Sequence, residues 1–202
     1  MSEEKEWYSQ YGQDKWVVDT HLNYKENGYF VDIGAGNGIF LSNTYYLEKN
    51  LGWEGICVEA NDSTFGELTS NRKYCDNNCI LDDGSEVTFN NVTNSTGWEN
   101  LLSGINGLVH YETNNESTIS KTTISLNTLL DKYDAPQVID YISMDIEGAE
   151  LQALQEFFKT NKREIKLWTI ENTNTKEVVA LMQANGYEVV HSLGADNVYK
   201  LK

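Results

Sequence analysis

The chain is expected to fold as an α/β protein. The predicted sheet is doubly wound, mostly parallel and seven-stranded, with helices on both faces and a terminal antiparallel strand. Three observations lead there. Short apolar runs alternate with helix-length amphipathic stretches, the pattern of successive βαβ units. A glycine cluster, Gly34-x-Gly36-x-Gly38, follows directly on the apolar run Phe30 to Ile33. Two closely spaced apolar runs, 187–190 and 198–201, come last and suit an antiparallel pair.

Taken in order, residues 1–28 lack a strand, and Trp16, Val17, Val18 and Leu22 mark one face of a short helix. Phe30 to Ile33 is the first strand. Ser42-Asn43-Thr44 supplies caps for a helix reaching about residue 50, and Gly55 to Val58 is the second strand. Ser63 is expected to cap the next helix, Asn78 to Leu81 to form the third strand, and Asp82-Asp83-Gly84 to turn the chain. Val87 to Phe89 suits a short hairpin arm. Residues 90–120, rich in Asn, Thr and Ser, are expected to be a long variable loop or insertion near the site. Further on, Leu126 to Tyr133 is helical, Pro136 interrupts, and Val138 to Met144 is the strongest later strand. A helix over 149–158 carries Leu151, Leu154 and Phe158 on one face. Ile165 to Ile170 is a strand, and a helix over 176–185 ends at Gly186. With no internal repeat and no linker, residues 1–202 are expected to form one domain.

In such sheets ligands bind beyond the carboxyl ends of the strands, where the strand order reverses. Gly34, Glu59, Asp82, Asp145 and Glu171 all fall at expected strand ends. Glu59 stands roughly 20 residues beyond the glycines, the separation at which an acid meets the hydroxyls of an adenosine ribose. A dinucleotide site usually has G-x-G-x-x-G; here the third glycine comes one residue early and Ile39 fills the usual position. Asp32 precedes the loop. Acids around a loop of this spacing suit a cationic cofactor better than a pyrophosphate. A glycine turn that only packs a helix on a sheet is the bland alternative.

Asp145, Glu147 and Glu150 follow a buried strand and open a helix. Acids favour a helix N-terminus through its dipole, which accounts for Glu150 better than for Asp145. Glu171 and Asn172 end the next strand, so they should flank Asp145. Together they could position a substrate hydroxyl, hold a divalent cation, or form a hydrogen-bond network. No metal is expected to be required; were one used, Asp145, Glu171 and Asn172 would hold it. Of the three histidines, His110 is the best candidate base, because it lies in the loop-rich segment.

The net charge of −16 argues against duplex nucleic acid and against an anionic membrane surface as partners. Cys57, Cys75 and Cys79 form no disulfide framework and a poor zinc set, as expected of reduced thiols. No signal peptide and no membrane-length apolar run is present, so a soluble cytoplasmic protein is expected and its four N-x-S/T sites are expected to stay unmodified.

With these residues in place the chain resembles the FkbM-like methyltransferases. The resemblance begins at Ser9-Gln10-Tyr11-Gly12-Gln13-Asp14 and continues through Phe30 to Gly38, Ser42-Asn43-Thr44 and Gly52-Trp53-Glu54-Gly55 to Glu59-Ala60-Asn61. Asn71-Arg72, the segment Asp145 to Glu150 and Ile170-Glu171-Asn172 complete it, in order, over nearly the whole chain. It departs at Ala60, where many members have proline, and over 90–120, which matches nothing. The resemblance implies a Rossmann-like fold and S-adenosylmethionine (S-adenosyl-L-methionine) as cofactor, with S-adenosylhomocysteine as its product. It implies methyl transfer to a sugar hydroxyl, on a small molecule or a glycan such as a rhamnose-type deoxyhexose, by a chain that could be one domain of a larger glycan-modifying enzyme. Cofactor contacts are then expected from Gln10, Asp14, Asp32, Gly34, Gly36, Ser42, Asn43, Glu59, Ala60, Asp82 and Asp145. Catalytic roles are expected for Asp145, Glu171 and His110. An NAD-dependent oxidoreductase and a non-catalytic cofactor-binding domain are the competing readings; the glycine spacing and the lack of a Tyr-x-x-x-Lys pair disfavour the first.

Overall fold

A computed structural model describes residues 6–92, 101–109, 116–171 and 175–202. The chain opens with α1 (Gln13–Trp16), a π-helical turn (Val17–Leu22), β1 (Tyr29–Ile33), α2 (Tyr45–Leu51), β2 (Glu54–Val58) and α3 (Asp62–Asn71). Then come β3 (Cys75–Asp76), β4 (Cys79–Ile80), β5 (Glu86–Val92), β6 (Gly104–Ile105), β7 (Glu116–Ile124) and α4 (Leu126–Lys132). After these lie β8 (Val138–Ile139), β9 (Tyr141–Met144), α5 (Glu150–Thr160), β10 (Glu164–Ile165) and β11 (Leu167–Glu171). The last elements are α6 (Thr175–Ala184), β12 (Tyr187–Leu193) and β13 (Asp196–Leu201).

The main sheet has seven strands in the order β12-β13-β11-β9-β1-β2-β3. All neighbours pair in parallel except β13, which runs antiparallel between β11 and β12. The doubly wound sheet with its terminal antiparallel strand is therefore observed. Strand order reverses at β1: β2 and β3 lie on one side of it, β9 and β11 on the other. Apolar residues alternate between the two faces, because both faces are covered by helices. Val31, Ile33, Ile142 and Met144 pack under α4 and α5 with Leu129, Leu154 and Phe157. Phe30, Cys57 and Tyr141 face the opposite layer with Val17, Val18, Leu47 and Leu68. Burying these side chains drives the fold, at roughly 1.5–3 kcal/mol for each large one. Tyr141 keeps its hydroxyl satisfied against Thr169 at 2.6 Å.

Three sequence expectations need correction. The third strand of the main sheet is Cys75–Asp76, in register with Cys57 and Val58. The backbone and side-chain amides of Asn78 donate to Asp76 Oδ1 at 2.9 and 2.6 Å, an Asx-type turn that ends the strand. Cys79–Ile80 instead pairs in parallel with β7, in a second sheet of order β4-β7-β5-β6. The described part of residues 90–120 belongs largely to that sheet, with Asn90, Asn91 and Val92 opposite Thr118, Ser117 and Glu116. The cap of α3 also differs: Asn61, not Ser63, accepts the N–H groups of Ser63 and Thr64. Of the three residues expected to cap α2, Thr44 holds the N-cap position without a side-chain cap bond, while Ser42 Oγ, two residues ahead, accepts the N–H groups of Thr44 and Tyr45. No helix among the described residues is long and apolar enough to cross a membrane.

Candidate functional site

A cavity of about 950 Å³, including its open mouth, lies at the carboxyl ends of β1, β2 and β9. This is the crevice at the switch point of the sheet. Gly34 and Gly36 form its floor, where the chain leaves β1. Gly34 has φ of +85°, and a Cβ there would lie 1.7 Å from the backbone oxygen of Asp145. Only glycine lets β1 and β9 approach this closely. Gly36 donates its N–H to Glu59 Oε2 at 2.9 Å, and Asn61 donates to Glu59 Oε1 at 2.7 Å. Both carboxylate oxygens are thus oriented by backbone, and each keeps a lone pair for a ligand hydroxyl. Burial pushes the Glu59 carboxyl up to about 7.

Beside Glu59 the wall turns apolar. Ala60, Cys79, Phe89, Ile105 and Ala149 form a cluster facing the cavity, a slot suited to a flat heteroaromatic ring. At the other end Gln10, Gln13, Ser42, Asn43, Ser143 and Asp145 line it. Asn43 donates its amide to Ser143 Oγ at 2.9 Å, while its buried Oδ1 has no hydrogen-bond partner. An acceptor left open in the wall fits a ligand that brings a donor, such as an ammonium group.

The glycine loop is held from behind. Arg72, with its side chain fully buried, donates to Glu48 Oε2 at 2.7 Å, to the Gly38 carbonyl at 3.0 Å and to Thr44 Oγ1 at 2.8 Å. Thr44 in turn donates to Asp32 Oδ2 at 2.6 Å. Burial raises the Asp32 carboxyl, and the Arg72 charge opposes that rise. Asp32 therefore reaches the cavity wall with its carboxylate already engaged in scaffolding.

Asp145 at the end of β9 and Glu171 at the end of β11 form a coupled pair joined by a hydrogen bond. Burial and the Glu171 charge lift Asp145 well above the usual carboxylate range. Burial, then the neighbouring acids, lifts Glu171 and Glu147 to about 8 each.

The expected site residues divide clearly. Gln10, Asp32, Gly34, Gly36, Ser42, Asn43, Glu59, Ala60 and Asp145 all line the cavity. Asp14 does not: its carboxylate accepts from Tyr8 N at 2.7 Å and Ser9 Oγ at 2.5 Å, pinning the segment that carries Gln10. Asp82 stands away from the cavity, because β4 leaves the main sheet and carries it into a turn. There it accepts from Ser85 and Thr123. Glu171 sits behind Asp145 rather than on the wall. His110 and Asn172 lie outside the described residues. Gln13, Asn78, Phe89, Leu101, Ser103 and Ile105 are among the further wall residues that were not expected from the sequence. Gln13 had a signal in the N-terminal motif, Phe89 in the expected hairpin arm, and Leu101, Ser103 and Ile105 in the segment expected near the site.

Glu59, Glu147 and Glu171 hold protons in the folded state that the unfolded chain releases near pH 4.5. Between about pH 4.5 and pH 8 the folded state binds more protons, so these groups lower stability as pH rises. His21, held below 6.5 by burial, acts oppositely but is one group against several. Asp76 and Asp140 are depressed by their lysine partners, and the stability they add is lost only as pH falls below their unfolded values. The ligand-free melting temperature, measured with EDTA present, is therefore expected to fall from pH 5.5 to pH 8.5. A rising profile would contradict the burial of these acids.

The family model described as the methyltransferase FkbM domain matches residues 32–189. No curated protein sequence matches the chain. Among solved structures, methyltransferase FkbM from Methylobacillus flagellatus KT is similar at 15% identity and a TM-score of 0.56, over 96% of this chain and 48% of that one. The N-terminal domain of human METTL16, solved in complex with SAH, is similar at 11% identity and a TM-score of 0.50, over 94% of this chain and 67% of that one. At such identities these likenesses show a shared fold, and the chain spans about half the length of the FkbM structure. The family match, which takes in the glycine loop, Glu59 and Asp145, shows that the chain belongs to the FkbM family of S-adenosylmethionine-dependent methyltransferases.

Proposed function

We propose that the protein transfers a methyl group from S-adenosylmethionine to a hydroxyl of a sugar, free or within a glycan. The observation that carries this reading is one cavity with two chemically distinct ends. Glu59 and the apolar slot of Ala60, Cys79 and Phe89 suit an adenosine, and Asn43 with Asp145 suits a cationic group. When bound, the cofactor supplies an electrophilic sulfonium methyl.

The chain's own residues do the rest. The open Asn43 Oδ1 takes a donor of the cofactor's ammonium group, and Glu59 takes the ribose hydroxyls. Asp145, on the cavity wall at the end of β9, orients an acceptor hydroxyl, and the pair it forms with Glu171, whose proton affinity burial raises, accepts the hydroxyl proton as the new oxygen–methyl bond forms and the sulfur–methyl bond breaks. Phe40, 52% exposed on the cavity rim, offers an aromatic face to the apolar side of a sugar ring. The acidic chain favours a neutral or cationic acceptor over an anionic one.

The test is calorimetric titration with S-adenosylhomocysteine and NAD in parallel, followed by transfer of labelled methyl to a panel of sugars. Binding of the first alone, with label on a sugar oxygen, is the expected result. Binding of NAD alone would overturn the cofactor reading, and label found only on non-sugar acceptors would overturn the substrate class. Glu59→Gln is expected to weaken S-adenosylhomocysteine by about 1–3 kcal/mol while leaving the fold intact. Unchanged affinity would place the ribose elsewhere.

A further inference from the structure

We propose that Gln10 and Phe40 form the acceptor subsite and select a neutral sugar with hydroxyls on adjacent carbons, an inference that rests on the methyl-transfer reading above. Of the described side chains that line the cavity, these two alone are exposed; the others are half-buried or buried. They therefore stand at the rim, where a molecule arriving from solvent is met first. Glu59, the apolar slot and Asn43 lie further in and are taken up by the cofactor. A parallel bridge between Ser9 and Leu41 sets the two backbones side by side, so Gln10 and Phe40 stand on neighbouring runs of chain.

Both residues are held from behind. Asn37 Oδ1 accepts the N–H groups of Ile39 and Phe40 at 3.0 and 2.9 Å, which fixes the turn that presents the Phe40 ring. The next residue, Leu41, has φ of +57°, a left-handed conformation that side chains rarely adopt. Packing does not account for a strained turn that leaves a phenyl ring in water. Gln10 sits on a strap fastened at both ends. On one side Asp14 ties down Tyr8 and Ser9. On the other, the Tyr11 ring lies over Gly194, where an added Cβ would meet it at 2.2 Å, and Gln13 donates to Asp196 at 2.9 Å. Gln13 is thereby committed, and its Oε1 also accepts the Tyr11 N–H at 2.8 Å. Among the described residues the Gln10 amide has no hydrogen-bond partner. A fixed backbone with an uncommitted amide can read a ligand at little entropic cost.

The chemistry of the pair points to the ligand. A carboxamide carries a donor and an acceptor side by side, which matches two hydroxyls on adjacent ring carbons. An aromatic face beside it covers the apolar C–H face of the same ring. No Lys, Arg or His stands among the described residues that line the cavity, so a carboxylated or phosphorylated sugar finds no counter-charge there.

The experiment compares the wild-type chain with Gln10→Ala, Phe40→Ala and Tyr74→Ala, the last an exposed aromatic that does not line the cavity. Transfer of labelled methyl is followed at saturating S-adenosylmethionine, with methyl rhamnoside, methyl mannoside, methyl glucoside and glucuronic acid as acceptors. S-adenosylhomocysteine affinity is measured by calorimetry, and melting curves confirm that each variant is folded. Label is expected on a neutral glycoside and not on glucuronic acid. Gln10→Ala and Phe40→Ala are each expected to raise the KM for that glycoside by roughly threefold to tenfold, with S-adenosylhomocysteine affinity kept within about twofold. Tyr74→Ala should match the wild type in both. A glycoside KM unchanged in the first two variants would overturn the proposal. A loss of S-adenosylhomocysteine affinity in Gln10→Ala would overturn it too, by giving that residue to the cofactor. Glucuronic acid as the best acceptor would overturn the neutral class. Label on none of the sugars, by contrast, would overturn the sugar reading itself, so the two failures are told apart.

Discussion

Arg72→Met is expected to destabilise the protein by about 3–5 kcal/mol, the cost of stranding a buried ion-pair partner. On a chain of this length that lowers the melting temperature by roughly 10 °C. Methionine preserves the packing against Phe30 and Tyr45, whose rings lie 5.2 and 5.8 Å from the guanidinium, so the loss is one of charge and hydrogen bonds. Glu48 loses its buried partner and keeps the more exposed Lys49, Asp32 loses the positive charge that offsets its burial, and the Gly38 carbonyl loses a donor. Because these groups hold the glycine loop, affinity for S-adenosylhomocysteine should drop alongside stability. Arg72→Lys should recover part of the stability and less of the affinity, since an ammonium cannot span three acceptors with a planar fork. Urea unfolding of the three proteins checks this. A change below about 1 kcal/mol would make the network incidental.

Gly34→Ala is expected to do more damage, through geometry rather than charge. The added methyl would sit 1.7 Å from the Asp145 carbonyl oxygen, in a backbone conformation that side chains rarely adopt. Neither atom can yield. Asp145 N donates to the Ile33 carbonyl at 2.9 Å and Gly34 N to Val58 at 3.0 Å, so both sides of the clash are tied to the ladder. The sheet would have to part at the switch point. We expect little folded protein, or a loss beyond about 4 kcal/mol with no cofactor binding. Gly84→Ala is the control: it shares the positive φ, +86°, but nothing lies within 4 Å of its added carbon. It should cost only about 1–2 kcal/mol. Similar effects at both positions would show that conformation, not strand approach, governs Gly34.

What the sequence revealed follows from how local each signal is. β1, the glycine loop and β2 were legible because apolar runs are bounded by glycines and an acid within one βαβ unit. Glu59 and Asp145 were found by the same logic, as acids ending buried strands. The second sheet was not legible. Its strands β5 and β7 pair across 24 to 36 residues, from Val92 opposite Glu116 to Glu86 opposite Thr122, and its Ser, Thr and Asn side chains read as loop. Misplacing the third strand by four residues then misplaced Asp82. Arg72 was visible only as a motif letter, since its partners Glu48, Gly38 and Thr44 lie 24 to 34 residues away. Sequence spacing shows where strands end; it does not show which buried charge braces a loop.

The antiparallel insertion of β13 has a consequence for how the molecule assembles. Among the described residues β12 pairs in the sheet through β13, so it joins the sheet with β13 or after it, never before. Val198 and Tyr199 then seal opposite faces, one in each core layer. Asp196, at the head of the same strand, accepts the Gln13 amide at 2.9 Å and so fixes a corner of the cavity from 183 residues away. A hydrogen bond that spans 183 residues thus ties the last strand to the wall of the binding crevice. A chain folded only as far as β11 would have its glycine loop and acids in place yet an unfinished wall, so ligand binding reports the arrival of the last strand.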